Sequence, residues 1–205
     1  MKKLIILILA LSAIQMSTIA QKVELTAFGG YVFPGTWYGS NTSVYLKGGG
    51  QYGGQFSFAI SRVVDIDLIY NRSDINIEAT TYGYNYLETP ISINYMQVGF
   101  TKNFRVNPTV SPYLGMNIGT VLFYPKEGQY NDTWFFSAGI IGGAKIYFSE
   151  RIGLKLQAQM YLPVQGAGFT MYFGSGGGGT GVTMYSTLVQ FGFTGGLVFR
   201  LGRIL

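Results

Sequence analysis

Six charged side chains are the candidates for chemistry in this chain: Glu24, Asp65, Asp67, Lys145, Lys155 and Arg200. Asp65 and Asp67 stand two residues apart. In a strand they share a face, which is how paired carboxylates for acid–base work would be placed. The chain contains no histidine and no cysteine. That removes His-based proton transfer, Ser-His-Asp triads, cysteine nucleophiles and the usual zinc sites. Three acids and three bases cancel within the set, so the aspartates read as members of ion pairs rather than catalysts. No catalytic, metal-binding or cofactor-binding residue is expected. The run Gly174-Ser175-Gly176-Gly177-Gly178-Gly179-Thr180-Gly181 lacks the Lys-Ser/Thr of a phosphate loop and reads as a mobile linker.

The elements that carry these residues are strands. From Ile152 to Val164 the residues Ile152, Leu154, Leu156, Ala158, Met160, Leu162 and Val164 alternate with Gly153, Lys155, Gln157, Gln159, Tyr161 and Pro163. A period of two over this length describes a strand with two unlike faces. It is long enough to cross a bilayer at a tilt, which takes about 9–11 residues. Seven further segments share the pattern: 23–33, 51–61, 64–71, 90–102, 112–124, 133–148 and 184 to about 203. The connections alternate between long (34–50, about 76–88, 125–132, 165–182) and short (Arg62, 103–110, 149–151). The fold class expected is all-β: a closed, eight-stranded antiparallel transmembrane β-barrel with long extracellular loops and short periplasmic turns. An even strand number puts both termini in the periplasm. The fourth strand breaks the alternation, because Ile91, Ile93 and Tyr95 fall on one face and Val98 and Phe100 on the other. A β-bulge near Tyr95–Met96 would reset it.

Composition agrees. Only 11% of residues are charged, against about 25% in an ordinary soluble chain. The net charge of +5 falls to +3 without Lys2 and Lys3, too weak a bias for a nucleic-acid partner. Residues 1–20 read as a signal peptide: Lys2 and Lys3, an apolar stretch from Leu4 to Leu11, and Thr18-Ile19-Ala20 before the cleavage point. Residues 21–205 then form the barrel domain. The absence of cysteine removes a lipoprotein anchor and disulfides.

A soluble lipocalin-like barrel has the same topology with the faces reversed. The apolar face here carries bulky Phe, Tyr, Leu and Met, too much for the inside of eight strands. The other face carries Ser57, Ala59, Gly115, Gly119, Gly139, Gly143, Gly192 and Gly196, which suit a crowded lumen. The polar face therefore points inward. The six charges should form a network near the periplasmic end, with Arg200 beside Glu24 where the last strand closes on the first. Asn117, Gln157, Gln159, Tyr161 and Gln190 would continue it upward and plug the lumen. A gate or narrow ion path is the alternative. Gly139 and Gly143 have the spacing of a helix-dimer motif, which carries no meaning in a strand.

The C-terminal residues Thr194, Gly196, Phe199 and Leu201 resemble the polar-x-Gly-x-x-aromatic-x-apolar sorting signal of bacterial outer-membrane barrels. Four residues follow Leu201, a short tail with no room for a periplasmic domain. The whole span resembles small outer-membrane barrels of the OmpA, OmpX and OmpW type. That resemblance implies outer-membrane lipid and the barrel assembly machinery as partners, and a structural or interaction role. Passage of small or apolar solutes, as in OmpW-like proteins, is the second reading. Enzymes of this membrane generally rely on an active-site histidine, which this chain lacks. Tyr86-Leu87-Glu88-Thr89-Pro90 also resembles the Tyr-Leu-Glu-Ile-Pro strand opening of PorT-like Bacteroidota barrels, with Thr89 in place of Ile. Some barrels of that group serve type IX secretion or gliding, which implies a membrane-protein complex as partner. The loop aromatics Trp37, Tyr38, Tyr45, Tyr82, Tyr84, Tyr86, Phe123, Tyr124 and Tyr130 fit an interfacial girdle, with a recognition surface as the alternative.

Overall fold

The computed structural model describes residues 22–38, 42–81, 84–104, 109–126, 132–164, 167–172, 179–184 and 189–201. The signal segment and the four residues after Leu201 lie outside them. Among the described residues there are twelve strands in chain order: β1 (Val23–Val32), β2 (Gly35–Tyr38), β3 (Thr42–Leu46), β4 (Gly49–Ala59), β5 (Val64–Thr81), β6 (Tyr84–Asn103), β7 (Val110–Pro125), β8 (Thr133–Tyr147), β9 (Ile152–Val164), β10 (Ala167–Tyr172), β11 (Gly179–Met184) and β12 (Gln190–Leu201). Eight of them (β1, β4, β5, β6, β7, β8, β9 and β12) pair antiparallel in sequence, and β12 returns to β1. The sheet is closed, so no backbone edge faces lipid. Short turns at one end join β4 to β5 and β8 to β9. Ser61 and Ser149 each cap theirs by accepting backbone N–H bonds from Val64 and Ile152.

The connections at the other end differ from the sequence reading. Residues 34–50 and 76–88 are not plain loops. β5 and β6 run on as a hairpin to Thr81 and Tyr84, and the β2–β3 hairpin joins it through β3. Residues 165–182 likewise contain a hairpin, β10–β11. Met184 ends β11, and the last barrel strand starts only at Gln190. Of the Gly-rich run, Gly179, Thr180 and Gly181 are strand residues, while 174–178 lie outside the described residues. Once two strands leave the barrel as a pair, each added residue completes another ladder bond, so pairing need not stop where the lipid does.

The expected bulge at Tyr95–Met96 is absent. β6 pairs without a shift through these residues on both sides, and its one irregularity with β5 lies at Ala79/Thr80. Alternation continues, and Ile91, Ile93 and Tyr95 point into the lumen while Met96, Val98 and Phe100 face out. The sequence looked broken because the upper lumen is apolar. Both faces of β6 carry apolar side chains, at different heights.

Outside, the wall is uncharged over the middle of the barrel, with Leu114, Met116, Ile118, Phe193 and Leu197 all half exposed or more. Inside, small residues leave room where neighbouring strands crowd the lumen. Gly143 is the clearest case. A Cβ there would run into the Leu156 carbonyl oxygen and lie 2.9 Å from the Tyr113 hydroxyl, groups on the two adjacent strands. Gly143→Val should therefore lower barrel stability by about 1–3 kcal/mol through overpacking. The readout is the temperature at which the purified protein loses its compact, fast-migrating band on an unheated gel. An unchanged temperature would show that the lumen has slack at this level.

Candidate functional site

The lumen carries every inward polar side chain the sequence singled out. Arg200 and Glu24 are register partners across the closing seam, and the guanidinium Nε lies 3.4 Å from Glu24 Oε1. Lys145, from the opposite wall, donates to Glu24 Oε2 at 2.6 Å and to Asp65 Oδ2 at 3.1 Å. Tyr147 donates its hydroxyl to Glu24 Oε1 at 2.6 Å, and Asn103 donates to Asp65 at 2.8 Å. Lys22, just before β1, also pairs with Glu24. Glu24 thus gathers three cations and a phenol while only 2% exposed.

Asp67 and Lys155 do not join these pairs. Among the described residues neither forms an ion pair. Thr101 hydrogen-bonds Asp67, and Lys155 donates to Gln55. Lys155 stands opposite Lys145 in the β8–β9 register, where like charges repel. The two ammonium groups diverge, with the Tyr113 ring near both: its centroid is 5.8 Å from Lys145 Nζ and 4.8 Å from Lys155 Nζ. The negative face of the ring offsets part of the cost.

Above them runs a neutral chain. Tyr113 donates to Gln157, Gln157 to Gln159, and both Gln159 and Asn71 donate to Gln51 Oε1, all at 2.8–3.0 Å. Gln190 accepts from the Tyr95 hydroxyl. Asn117 and the Tyr161 hydroxyl are inward and buried but form no hydrogen bond among the described residues. Tyr161 contributes its ring instead, stacked on Tyr95 at 4.5 Å. This stack belongs to an apolar cap of Val32, Leu46, Ile75, Ile91, Ile93 and Val121, with Phe123 packed against it. The lumen is thus ionic at the end of the short turns, amidic in the middle and apolar beneath the long connections.

Sequence reasoning missed Lys22, Gln51, Gln55, Thr101, Asn103, Tyr113 and Tyr147. Strand parity marks all but Lys22 as inward, so the signal was present. It missed the apolar cap because inward apolar residues were read as a reset of the alternation. Thr194 of the sorting pattern faces in, and Phe199 and Leu201 face out. Gly196 sits where a Cβ would lie 2.7 Å from Phe28 Cα, which accounts for a glycine at that place on structural grounds. Among the described residues no group of three or more His, Cys, Asp or Glu side chains is placed to hold a metal.

Similarity to solved structures is extensive. Neisserial surface protein A superposes with a TM-score of 0.60 at 12% identity, covering 87% of this chain and 97% of that one. The outer membrane protein OprG from Pseudomonas aeruginosa gives 0.57 at 9% identity, covering 90% and 97%. The N-terminal barrel domain of OprF from the same organism gives 0.52 at 15% identity, covering 88% and 97%. The fold is that of the small outer-membrane barrels. No protein-family model matches the chain, and no curated protein matches it in sequence.

At the end of the long connections, Lys47 bridges Glu78 at 2.6 Å and Glu88 at 2.7 Å, tying the segment before β4 to the β5–β6 hairpin. The two carboxylates hold the Lys47 ammonium above the usual lysine range, and Lys47 holds Glu88 below the usual carboxylate range. All three groups are solvent-exposed, so the tie orients the hairpin more than it stabilises it.

Proposed function

We propose that this protein is a non-enzymatic, sealed barrel of the bacterial outer membrane, carried there by a signal peptide over residues 1–20. Both termini lie in the periplasm, and the hairpin connections lie outside the cell. It acts as a structural and interaction protein whose connections dock a partner, with a membrane-protein complex as the expected class. The observation that carries this reading is the succession of inward contacts, from the Glu24–Lys145–Asp65 cluster through the glutamines to the Tyr95–Tyr161 stack. An eight-stranded barrel is only about wide enough for its own side chains, so this run of inward contacts supports a lumen without a water column. The hairpins β2–β3, β5–β6 and β10–β11 support the docking half of the reading, since paired strands project as shaped surfaces where bare loops would not.

Planar-bilayer recording tests the seal. The purified chain should give no discrete current steps above the lipid background. Reproducible steps of one size would overturn the sealed scaffold and favour a narrow channel.

A further inference from the structure

The outer wall carries one site that the lumen reading does not use. Across β1, β4, β5, β6 and β7, the outward residues form rows across the strands fixed by the register. Low in the belt, Leu25, Phe56, Leu68, Val98 and Ile118 make a bulky apolar row. The next row up reads Ala27, Gly54, Tyr70, Met96 and Thr120. Gly54, with no side chain, leaves a groove of about 460 Å³ against Leu25, Phe56, Leu68 and Met96. Tyr70 and Met96 also line a second hollow of about 350 Å³ directly above. There the wall turns polar, with Arg72 covering the buried Ser92 and Asn94 beneath it and Lys126 and Tyr124 closing the top. Asp74 lies 3.1 Å from both Arg72 and Lys126 and accepts from Ser92 at 2.6 Å. Two cations share one carboxylate, so the hollow keeps one net positive charge. Both cations remain partly exposed.

We propose that this two-part groove binds one membrane lipid with a phosphorylated, anionic headgroup, drawn from the leaflet at the long-connection end. An acyl chain lies along Leu25, Phe56, Leu68 and Met96, and the phosphate sits between Arg72 and Lys126. The lower part is walled mainly by apolar side chains, which suits an acyl chain better than a soluble anion. The upper part offers charge where headgroups lie, which excludes a purely apolar ligand. Arg72 is already aligned by Asp74 and Ser92, so a second anion meets a guanidinium whose rotamer is set. The proposal rests on the outer-membrane placement and is independent of the lumen seal.

The test is native mass spectrometry of the full chain in nonionic detergent. Palmitoyl-oleoyl phosphatidylglycerol, palmitoyl-oleoyl phosphatidylcholine and inorganic phosphate are added separately. One phosphatidylglycerol per barrel should be retained about tenfold better than phosphatidylcholine, as expected for roughly one unscreened charge in a low-dielectric wall. Two variants address the two halves. R72Q with K126Q removes the charge. Gly54→Phe fills the groove from a position where an added Cβ meets only Thr26 O, at an ordinary 3.5 Å. Each should reduce phosphatidylglycerol retention to the phosphatidylcholine level while the protein keeps its compact gel mobility. If one variant does not fold, the other decides. Equal retention of the two lipids, or retention unaffected by a folded variant, would overturn the site. So would retention of phosphate alone, or a dimer that excludes lipid. Membrane fractionation of cells addresses the placement separately: a chain absent from the outer-membrane fraction would remove the proposed function, whatever the spectra show.

Discussion

Replacing Glu24 by glutamine is expected to destabilise the barrel by about 3–5 kcal/mol, the usual cost of breaking a buried ion pair from one side. Glu24 is the anion on which Lys22, Lys145 and Arg200 converge, and Tyr147 donates to it as well. The amide keeps the size of the side chain and removes its charge. Lys145 is left in the lumen with Asp65 as its one ion-pair partner among the described residues, and Arg200 loses the contact that crosses the closing seam. Urea unfolding in lipid vesicles, followed by tryptophan fluorescence, measures the loss. Lys145→Met should cost a similar amount, because it strands Glu24. The double variant should cost less than the sum of the two by at least about 1 kcal/mol, since the groups act on each other. A Glu24→Gln midpoint equal to that of the unaltered chain would show that the cluster contributes nothing to stability.

Tyr95→Ala is expected to cost about 3–5 kcal/mol, in the range for losing a large aromatic from a packed core. Tyr95 is 1% exposed, lies on the Tyr161 ring and packs among Ile93 and Val121. Truncation removes the stack, opens a cavity in the cap and strips Gln190 of its donor. Tyr95→Phe separates these effects, because it keeps the ring and loses only the hydrogen bond, for about 1 kcal/mol. The same unfolding measurement reads both variants. A Tyr95→Ala loss no larger than that of Tyr95→Phe would mean that the cap holds only through the Gln190 bond. The residue matters doubly, because an outward Tyr95 would have met lipid and its truncation would have been nearly free.

Much of the barrel was legible along the chain. Closed antiparallel strands must alternate between lipid and lumen, so Asp65, Asp67, Lys145, Lys155, Gln157 and Gln159 were inward by parity alone. The pairing of Arg200 with Glu24 was legible as well, because a closed barrel must join its last strand to its first. The hairpin extensions were not, because ladder bonds beyond the membrane leave no hydrophobic alternation to read. The direction of Ile91, Ile93 and Tyr95 was misread for a related reason. Parity gives a side chain its face only when the two faces differ in polarity, and at the top of this lumen they do not.

The sequence by itself determined the number of barrel strands, the face of the side chains wherever the two faces differ in polarity, and the end of the barrel at which the charges sit. These follow from a period of two and from the cost of an open backbone edge in lipid. Only the tertiary structure decided who meets whom across the lumen. Lys145 reaches Glu24, 121 positions away, while Lys155 turns to Gln55 and Asp67 to Thr101. Those meetings depend on strand tilt and stagger, which set the heights of opposite walls against each other and leave no mark in the alternation of a single strand.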